Sequence, residues 1–205
     1  MRFSILALVV PLFASVAFAA PVPVQDGLMR RDCSKTSASV SATASAAAAT
    51  ATAKANQAAA GTFVEQDYAD FQISDGVAGQ AKEEAEAVFV TPFANVDLST
   101  VDAATVDAVE NMRQAAEAAE TDKFNPAIDA ATGDEADALQ VGKIKNKVLK
   151  LTGEVQVLNM KIAKAKASGD DTADLEDKLT EEQTKLSKNI ATDVKSAGAT
   201  SKGVV

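Results

Sequence analysis

The sequence predicts an all-α protein, a small helical bundle built on a long antiparallel helical hairpin. Apolar residues repeat at spacings of three and four over residues 134–168, which is the pattern of one long helix with an apolar stripe. A second stripe follows after a short turn, and two striped helices joined in this way form a hairpin. The chain has no Trp, one Tyr and eight Phe in 205 residues. Ala, Val and Leu must therefore fill most of the core, which favours close-packed helices over a sheet.

The first 20 residues have the features of a secretory signal peptide. A basic start, Met1-Arg2, precedes a nearly continuous apolar run, which closes in a small-x-small pattern that places the cut at Ala19 or Ala20. The apolar run is too short to span a bilayer. We therefore expect a secreted, extracellular protein, either free in the medium or associated with the cell wall.

A dibasic pair, Arg30-Arg31, marks a second processing site. Proteases of the secretory pathway cut after such pairs, so residues 21–31 are predicted to be a pro-region. The mature chain would then begin at Asp32.

Residues 32–61 are a low-complexity spacer rich in Ser, Thr and Ala. This composition is typical of a disordered linker or an O-glycosylated stalk, and its Ala-rich second half also has helix propensity. Cys33 is the single cysteine, so it has no partner for an internal disulfide. It either forms an intermolecular disulfide or remains an unpaired thiol near the mature terminus.

The predicted helical domain covers residues 62–197 and begins with two short helices. Thr62 to Glu65 fits a capping box that opens the first helix. Asp75-Gly76 and Gly79 predict a break. Helical character resumes from Gln80 to Phe89 and ends before Pro92.

Two further helix starts follow before the long hairpin. Ser99 is a start signal, and Asp102 is placed to accept hydrogen bonds from the N–H groups of the first turn. Asn125-Pro126 fits a cap followed by proline at the first helical position, opening a short helix that closes near Gly133.

The hairpin itself carries two apolar stripes. The stripe of its first helix consists of Val141, Ile144, Val148, Leu151, Val155, Leu158, Ile162 and Ala165. The second helix continues with Leu175, Leu179, Leu186, Ile190 and Val194. β-Branched residues at one core position and Leu at the other also favour a parallel dimer, so self-association through residues 139–165 is an open alternative. Residues 198–205 are predicted to be a flexible tail.

Composition argues against several function classes. The chain has no His, which removes the commonest general base and zinc ligand. Its net charge of −9 repels nucleic acid and anionic lipid surfaces.

Glu83, Glu84 and Glu86 lie among alanines and a lysine, which indicates a solvated face. Four lysines of the long helix, Lys143, Lys145, Lys147 and Lys150, are expected to face the acidic second helix of the hairpin. We predict no catalytic residues, no cofactor, no metal and no membrane span.

A candidate contact site lies where aromatic residues meet the flexible break. It consists of Tyr68, Phe71, Ile73, Asp75 and Gly76. The alternative is that these rings pack in the core, as most apolar stripes do.

Three segments resemble a family of small secreted, Ala-rich helical proteins of filamentous fungi. They are YADFQISDGVAGQA at 68–81, FNPAI at 124–128 and GDEADALQVGKIKNKVLKLTGEV at 133–155. The resemblance implies a fungal secreted protein, and some members of that family are regarded as candidate effectors. It implies no catalytic residues. The Cys-poor helical layout is also similar, in general terms, to fungal hydrophobic-surface-binding proteins.

From the sequence we expect a non-enzymatic secreted protein that contacts a protein or a surface, in the wall, the medium or at a host interface. The alternative is an amphiphile carrier or hydrophobic-surface-binding protein, whose helices part and expose the Val/Leu seam.

The leader makes a testable prediction about the exported protein. Mass spectrometry of the secreted chain should find Asp32 as the first residue, because the dibasic site is cut during export. A first residue at Ala20 or Pro21 would contradict the pro-region while leaving export intact.

Overall fold

A single long helix, α5 (Asp134–Ser168), forms the centre of the fold in a computed structural model of the chain. The structure describes residues 63–205. The predicted signal peptide, pro-region and spacer, with Cys33, lie outside these residues. Within them the chain is all-α apart from one short pair of strands, so the predicted fold class is confirmed.

The helical hairpin has the predicted form. Helix α5 ends at Gly169, whose φ of +79° is a left-handed conformation that favours glycine. The N–H of Asp170 donates to the carbonyl of Ala165 at 2.9 Å and closes the turn. Helix α6 (Ala173–Lys195) then runs back along α5 and packs against it.

Two upstream helices pack on other faces of α5. They are α2 (Ala81–Phe89) and α3 (Ala103–Ala119), and two 3₁₀ turns, Thr91–Phe93 and Leu98–Thr100, connect them. The side chain of Asp102 caps α3, since its Oδ1 accepts from the N–H of Thr105 at 2.6 Å.

Helix α3 continues without a break into the next predicted helix. A π-helical turn, Glu120–Phe124, joins it to α4 (Asn125–Ala130), and Pro126 lies in the first turn of α4. The fully buried ring of Phe124 anchors this junction in the core.

The first predicted helix is much shorter than expected. Residues 63–67 have no regular structure, and α1 covers only Tyr68–Phe71. The ring of Phe63 is buried and lies 5.2 Å from the ring of Phe93, measured between centroids. This packing holds the segment out of a helix, so tertiary contact overrides the local capping pattern.

The prediction of a flexible tail at 198–205 is wrong. Strand β1 (Gly76–Val77), which occupies the predicted break, pairs antiparallel with β2 (Thr200–Ser201), and the register sets Gly76 opposite Ser201 and Val77 opposite Thr200. The N–H of Lys202 also donates to the carbonyl of Ala138 on α5, at 3.0 Å. These long-range bonds hold the segment in place.

Helix α5 is covered on several faces. Four residues of its predicted apolar stripe are buried: Val148, Leu151, Leu158 and Ile162. Residues on other faces of the helix are buried as well: Leu149, Val157 and Met160. The interpretation of residues 139–165 as a self-association surface is therefore wrong, because the chain's own elements already cover this stretch.

Two glycines of α5 let neighbouring elements approach closely. A Cβ at Gly153 would lie 3.1 Å from the Cβ of Arg113 and 3.2 Å from the ring of Phe89. A Cβ at Gly142 would collide with the carbonyl oxygen of Lys202. The absence of a side chain at these positions sets how near α2, α3 and the last residues lie to the central helix.

Among residues 63–205, none of the helices combines the length and the apolar character needed to cross a bilayer.

Candidate functional site: a buried ionic centre beneath the β1–β2 pair

The ammonium group of Lys145 lies at the centre of a polar cluster inside the fold. Its side chain is fully buried, and Nζ lies 2.8 Å from Oε2 of Glu84. Nζ also donates to the backbone carbonyls of Asp75 and Val77, each at 3.1 Å. The ammonium group thus donates to two backbone carbonyls and forms an ion pair with the Glu84 carboxylate.

The two carbonyls explain why a lysine lies here. Strand β1 pairs with β2 along one edge, and Lys145 binds carbonyls of Asp75 and Val77 in and beside β1. An unpaired strand edge inside a protein is costly unless its polar groups find partners. Lys145 supplies those partners.

Asp193 connects α6 to the same region. Its side chain is nearly fully buried, and Oδ2 accepts from the N–H groups of Gly79 and Ala81, each at 3.0 Å. These N–H groups lie at the start of α2, where helix donors lack intrahelical partners. Asp193 of α6 therefore caps α2, although Ala81 and Asp193 lie 112 positions apart in the sequence.

Glu84 is not part of a solvated face, which corrects the sequence interpretation. Burial raises the pKa of the Glu84 carboxyl. The hydrogen bond and charge of Lys145 lower it, whereas the charges of Asp193 and Glu83 raise it again. The net effect is a raised pKa, because burial and two neighbouring carboxylates oppose one lysine.

A second polar chain lies beside the first and joins α1, α5 and α3. The hydroxyl of Tyr68 donates to Oδ1 of Asn146 at 2.8 Å, and Nδ2 of Asn146 donates to the carbonyl of Ala116 at 2.8 Å. Asn146 is fully buried. Burial raises the pKa of Tyr68 to about 12, against a hydrogen bond with Ser74 that lowers it.

The five residues of the predicted contact site differ in exposure: two are buried, Tyr68 and Gly76 are half-buried, and Asp75 is exposed. Phe71 and Ile73 are buried in the core, so the contact-site interpretation is wrong for them. Tyr68 is half-buried through its bond to Asn146. Gly76 pairs with Ser201, and Oδ1 of Asp75 accepts from the N–H of Gly203 at 2.8 Å. The residues after 198 therefore cover the break.

The lysines of α5 do not face the acidic residues of α6 as predicted. Lys147 and Lys150 lie 3.1 and 2.7 Å from the carboxylate of Glu120, which follows α3. Lys143 donates to Asn125 at 2.6 Å. The pairs that do cross the hairpin are Glu154 with Lys178, at 2.9 Å, and Lys166 with Glu176, at 2.8 Å.

Arg113 of α3 completes a charged network between α3, α5 and α6. Its guanidinium pairs with Glu110, with Glu117 at 2.5 Å and with Glu154 at 3.0 Å. Since Glu154 also binds Lys178, the network links three helices.

Sequence reasoning missed Lys145, Asn146 and Asp193 as interior residues. Lys145 is hidden among similar lysines, and the available signal is its position four residues before Leu149 on a buried face. Asp193 offers no local signal, since its partners lie in a distant segment. Within the described part of the chain, no group of three or more potential metal ligands is arranged to hold a metal ion.

The fold and the site together define an all-α domain whose buried ionisable groups brace helices and a strand pair. Residues 63–205 match a family described as a domain of unknown function, DUF8454. The match covers well over half of the chain, so the chain belongs to this family. No curated protein and no solved structure matches it.

Lys145→Met should destabilise the fold strongly. It leaves the Glu84 carboxylate and two carbonyls without their partner, which costs roughly 3–5 kcal/mol for a buried pair. Urea unfolding followed by circular dichroism measures the loss. Lys147→Met is the matched control, since Glu120 keeps Lys150 and the expected loss is about 0–1 kcal/mol. Equal losses for the two variants would contradict the central role of Lys145.

Glu120→Gln should reveal a pH-dependent contribution. Burial raises the pKa of Glu120, but the hydrogen bonds and charges of Lys150 and Lys147 outweigh it and hold the pKa below 4.5, the ordinary value. A lowered folded-state pKa gives stability that is present above the ordinary pKa and is lost as the pH falls through the folded-state pKa. The stability difference between the wild type and Glu120→Gln should therefore shrink below pH 4.5. A difference that stays constant into strong acid would contradict this assignment.

Proposed function

We propose that the chain is an exported, non-enzymatic protein that acts outside the cell through contact with a protein or a surface. In line with the fungal family that the sequence resembles, we place this contact in the cell wall, in the medium or at a host interface, as for an effector. The leader over residues 1–31 supports export.

One observation supports a non-enzymatic role. The two fully buried charged side chains of the described residues are fixed by backbone groups or by an opposite charge: Lys145 by Glu84 and two carbonyls, and Asp193 by two N–H groups. A catalytic acid, base or nucleophile must be free to exchange a proton or to attack a substrate. The groups that the fold places inside are instead engaged in holding it together.

The hairpin tip, residues 163–181, is the surface that we propose for contact. None of its residues is fully buried. Its exposed carboxylates include Asp170, Asp171, Asp174 and Asp177. The ion pair between Lys166 and Glu176 and the turn at Gly169 hold the two helices together there. An acidic tip favours a partner with a basic surface, because complementary charge accelerates encounter and selects partners.

The test compares two variants with the same change in net charge. Asp174→Asn with Asp177→Asn neutralises the tip, whereas Asp107→Asn with Asp129→Asn neutralises exposed residues of α3 and α4. The tagged, secreted full-length proteins are recovered from medium, wall and host fractions, and the co-purifying proteins are quantified.

We expect the tip variant to lose its partner and the control to keep it. Equal recovery with both variants would contradict the tip as the contact surface. Turnover of a wall polysaccharide or a peptide that survives purification would contradict the non-enzymatic role.

A second candidate, an amphiphile carrier, is favoured by a different feature. A surface pocket of about 360 Å³ lies between α4, the start of α5 and residues 202–204. Its apolar lining includes Ala127, Ala131, Leu139 and Val204, and the charged residues that line it are Lys123, Lys202 and Glu135. This lining suits a ligand with an anionic headgroup, bound at Lys123, and a short apolar chain, packed over the alanines.

A fluorescent fatty-acid analogue tests the carrier role. The carrier role is supported if the folded protein binds the analogue and if this binding weakens in Lys123→Gln but not in Lys188→Gln. The protein should also keep its helicity on emulsion droplets. If the protein binds neither the analogue nor the droplets, the carrier role is contradicted.

A further inference from the structure

The buried ionic centre around Lys145 contains more negative groups than positive ones. Its cation is the fully buried ammonium of Lys145, and its anions are the carboxylates of Glu84 and Asp193, whose charges act on each other. One ammonium group compensates one carboxylate, so the centre carries one excess negative charge when all three groups are ionised. An uncompensated charge inside a protein is costly, and a carboxylate removes it by taking up a proton.

The hydrogen bonds of the two carboxylates give them different roles. Oδ2 of Asp193 accepts from the N–H groups of Gly79 and Ala81, each at 3.0 Å, so this carboxylate is engaged with the start of α2. Among residues 63–205, the partner of the Glu84 carboxylate is Nζ of Lys145, at 2.8 Å from Oε2. Glu84 is therefore the carboxylate that is available to take up a proton.

Glu84 also connects the centre to solvent. Its side chain is 26% exposed, whereas its Oε2 is buried against the ammonium of Lys145. A proton can therefore reach this carboxyl group while the centre stays closed.

The charged groups that act on Glu84 come from three helices. They are Lys145 of α5, Asp193 of α6 and Glu83 of α2 itself. The carboxylate of Asp75, at the start of the β1 region, is directed elsewhere, since its Oδ1 accepts from the N–H of Gly203 at 2.8 Å. Burial and the two carboxylates act in the same direction on Glu84, and Lys145 alone opposes them.

Protonation of Glu84 is coupled to the closure of residues 75–84. Lys145 binds the carbonyls of Asp75 and Val77, and Asp193 binds the first N–H groups of α2, so both ends of this segment are held at the centre. If the segment opens locally, Glu84 enters water and its pKa returns to the ordinary 4.5. The closed form has the raised pKa and binds the proton more tightly, so closure is strongest below pH 4.5 and weakens as the pH rises through the folded-state pKa.

We propose that Glu84, Lys145 and Asp193 form a pH-sensitive switch, in which a proton on Glu84 balances the charge of the centre and holds residues 75–84 closed against α5 and α6. Loss of this proton loosens the segment. The switch acts in the opposite direction to Glu120, whose contribution to stability is lost in acid. The proposal does not rest on the function proposed above.

Amide hydrogen exchange tests the switch in the full-length chain. It is measured by NMR at the N–H groups of Gly79 and Ala81, which bind Asp193, from pH 4.5 to mild alkali. Each rate is divided by the intrinsic rate of an open chain at the same pH. Glu84→Gln removes the titrating group and keeps its size. Glu83→Gln is the matched control, because it makes the same change in charge at the exposed neighbouring position.

We expect the protection of these two N–H groups to fall about threefold or more across this pH range in the wild type and in Glu83→Gln, within the limit of about tenfold per pH unit that one proton sets. In Glu84→Gln the protection should stay level. Constant protection in the wild type, or an equal fall in Glu84→Gln, would overturn the proposal.

A second measurement decides the question if Glu84→Gln does not fold. The carboxyl carbon of Glu84 is followed by NMR in wild-type protein with carbon-13-labelled glutamate. Its titration midpoint should lie above pH 4.5 and coincide with the loss of protection at Gly79 and Ala81. A midpoint at or below pH 4.5 would overturn the proposal.

Discussion

The burial of one positive charge constrains much of this fold. The Lys145 ammonium lies inside the domain, where an unpaired charge is prohibitively costly, so Glu84 and the carbonyls of Asp75 and Val77 must surround it. These three partners belong to α2 and to the β1 region, which are thereby fixed against α5. The same region then positions β2, since β1 offers its free edge to Thr200 and Ser201. The burial of Lys145 thus determines where three other elements lie.

The second constraint is the close approach of neighbouring elements to α5 at two glycines, which carry no side chain. At Gly153 the ring of Phe89 and the stem of Arg113 reach the backbone of α5, and at Gly142 the chain after β2 does so. Apolar packing surrounds these points, through fully buried residues such as Leu149 and Met160. The charged network around Arg113 and Glu120 lies nearer the surface and connects helices that the apolar core already aligns. This network therefore fixes how the helices are aligned against one another and adds little to the free energy of unfolding.

Local sequence pattern predicts the helices and fails where distant segments meet. The bounds of α5, the turn at Gly169 and the end of α2 before Pro92 follow from periodicity and capping, which act over a few residues. The β1–β2 pair, the cap that Asp193 provides and the burial of Lys145 all join residues about 60 or more positions apart, and no local rule encodes them. The error at residues 63–67 has the same cause, because the packing of Phe63 against Phe93 outweighs a local capping box. The ionic centre could not be predicted because its lysine and aspartate look like ordinary surface residues.

The cap that Asp193 places on α2 also orders events during folding. Helix α2 has nine residues, which is too short to be stable alone in water, and its first N–H groups find their acceptor only when α6 is in place. Strand β1 likewise waits for residues 200 and 201. An emerging chain therefore cannot complete its N-terminal half until residue 193 and those after it are available. In the export that we propose, the chain would be threaded through a translocon as an extended chain, and this delay would keep the domain unfolded until most of it had crossed.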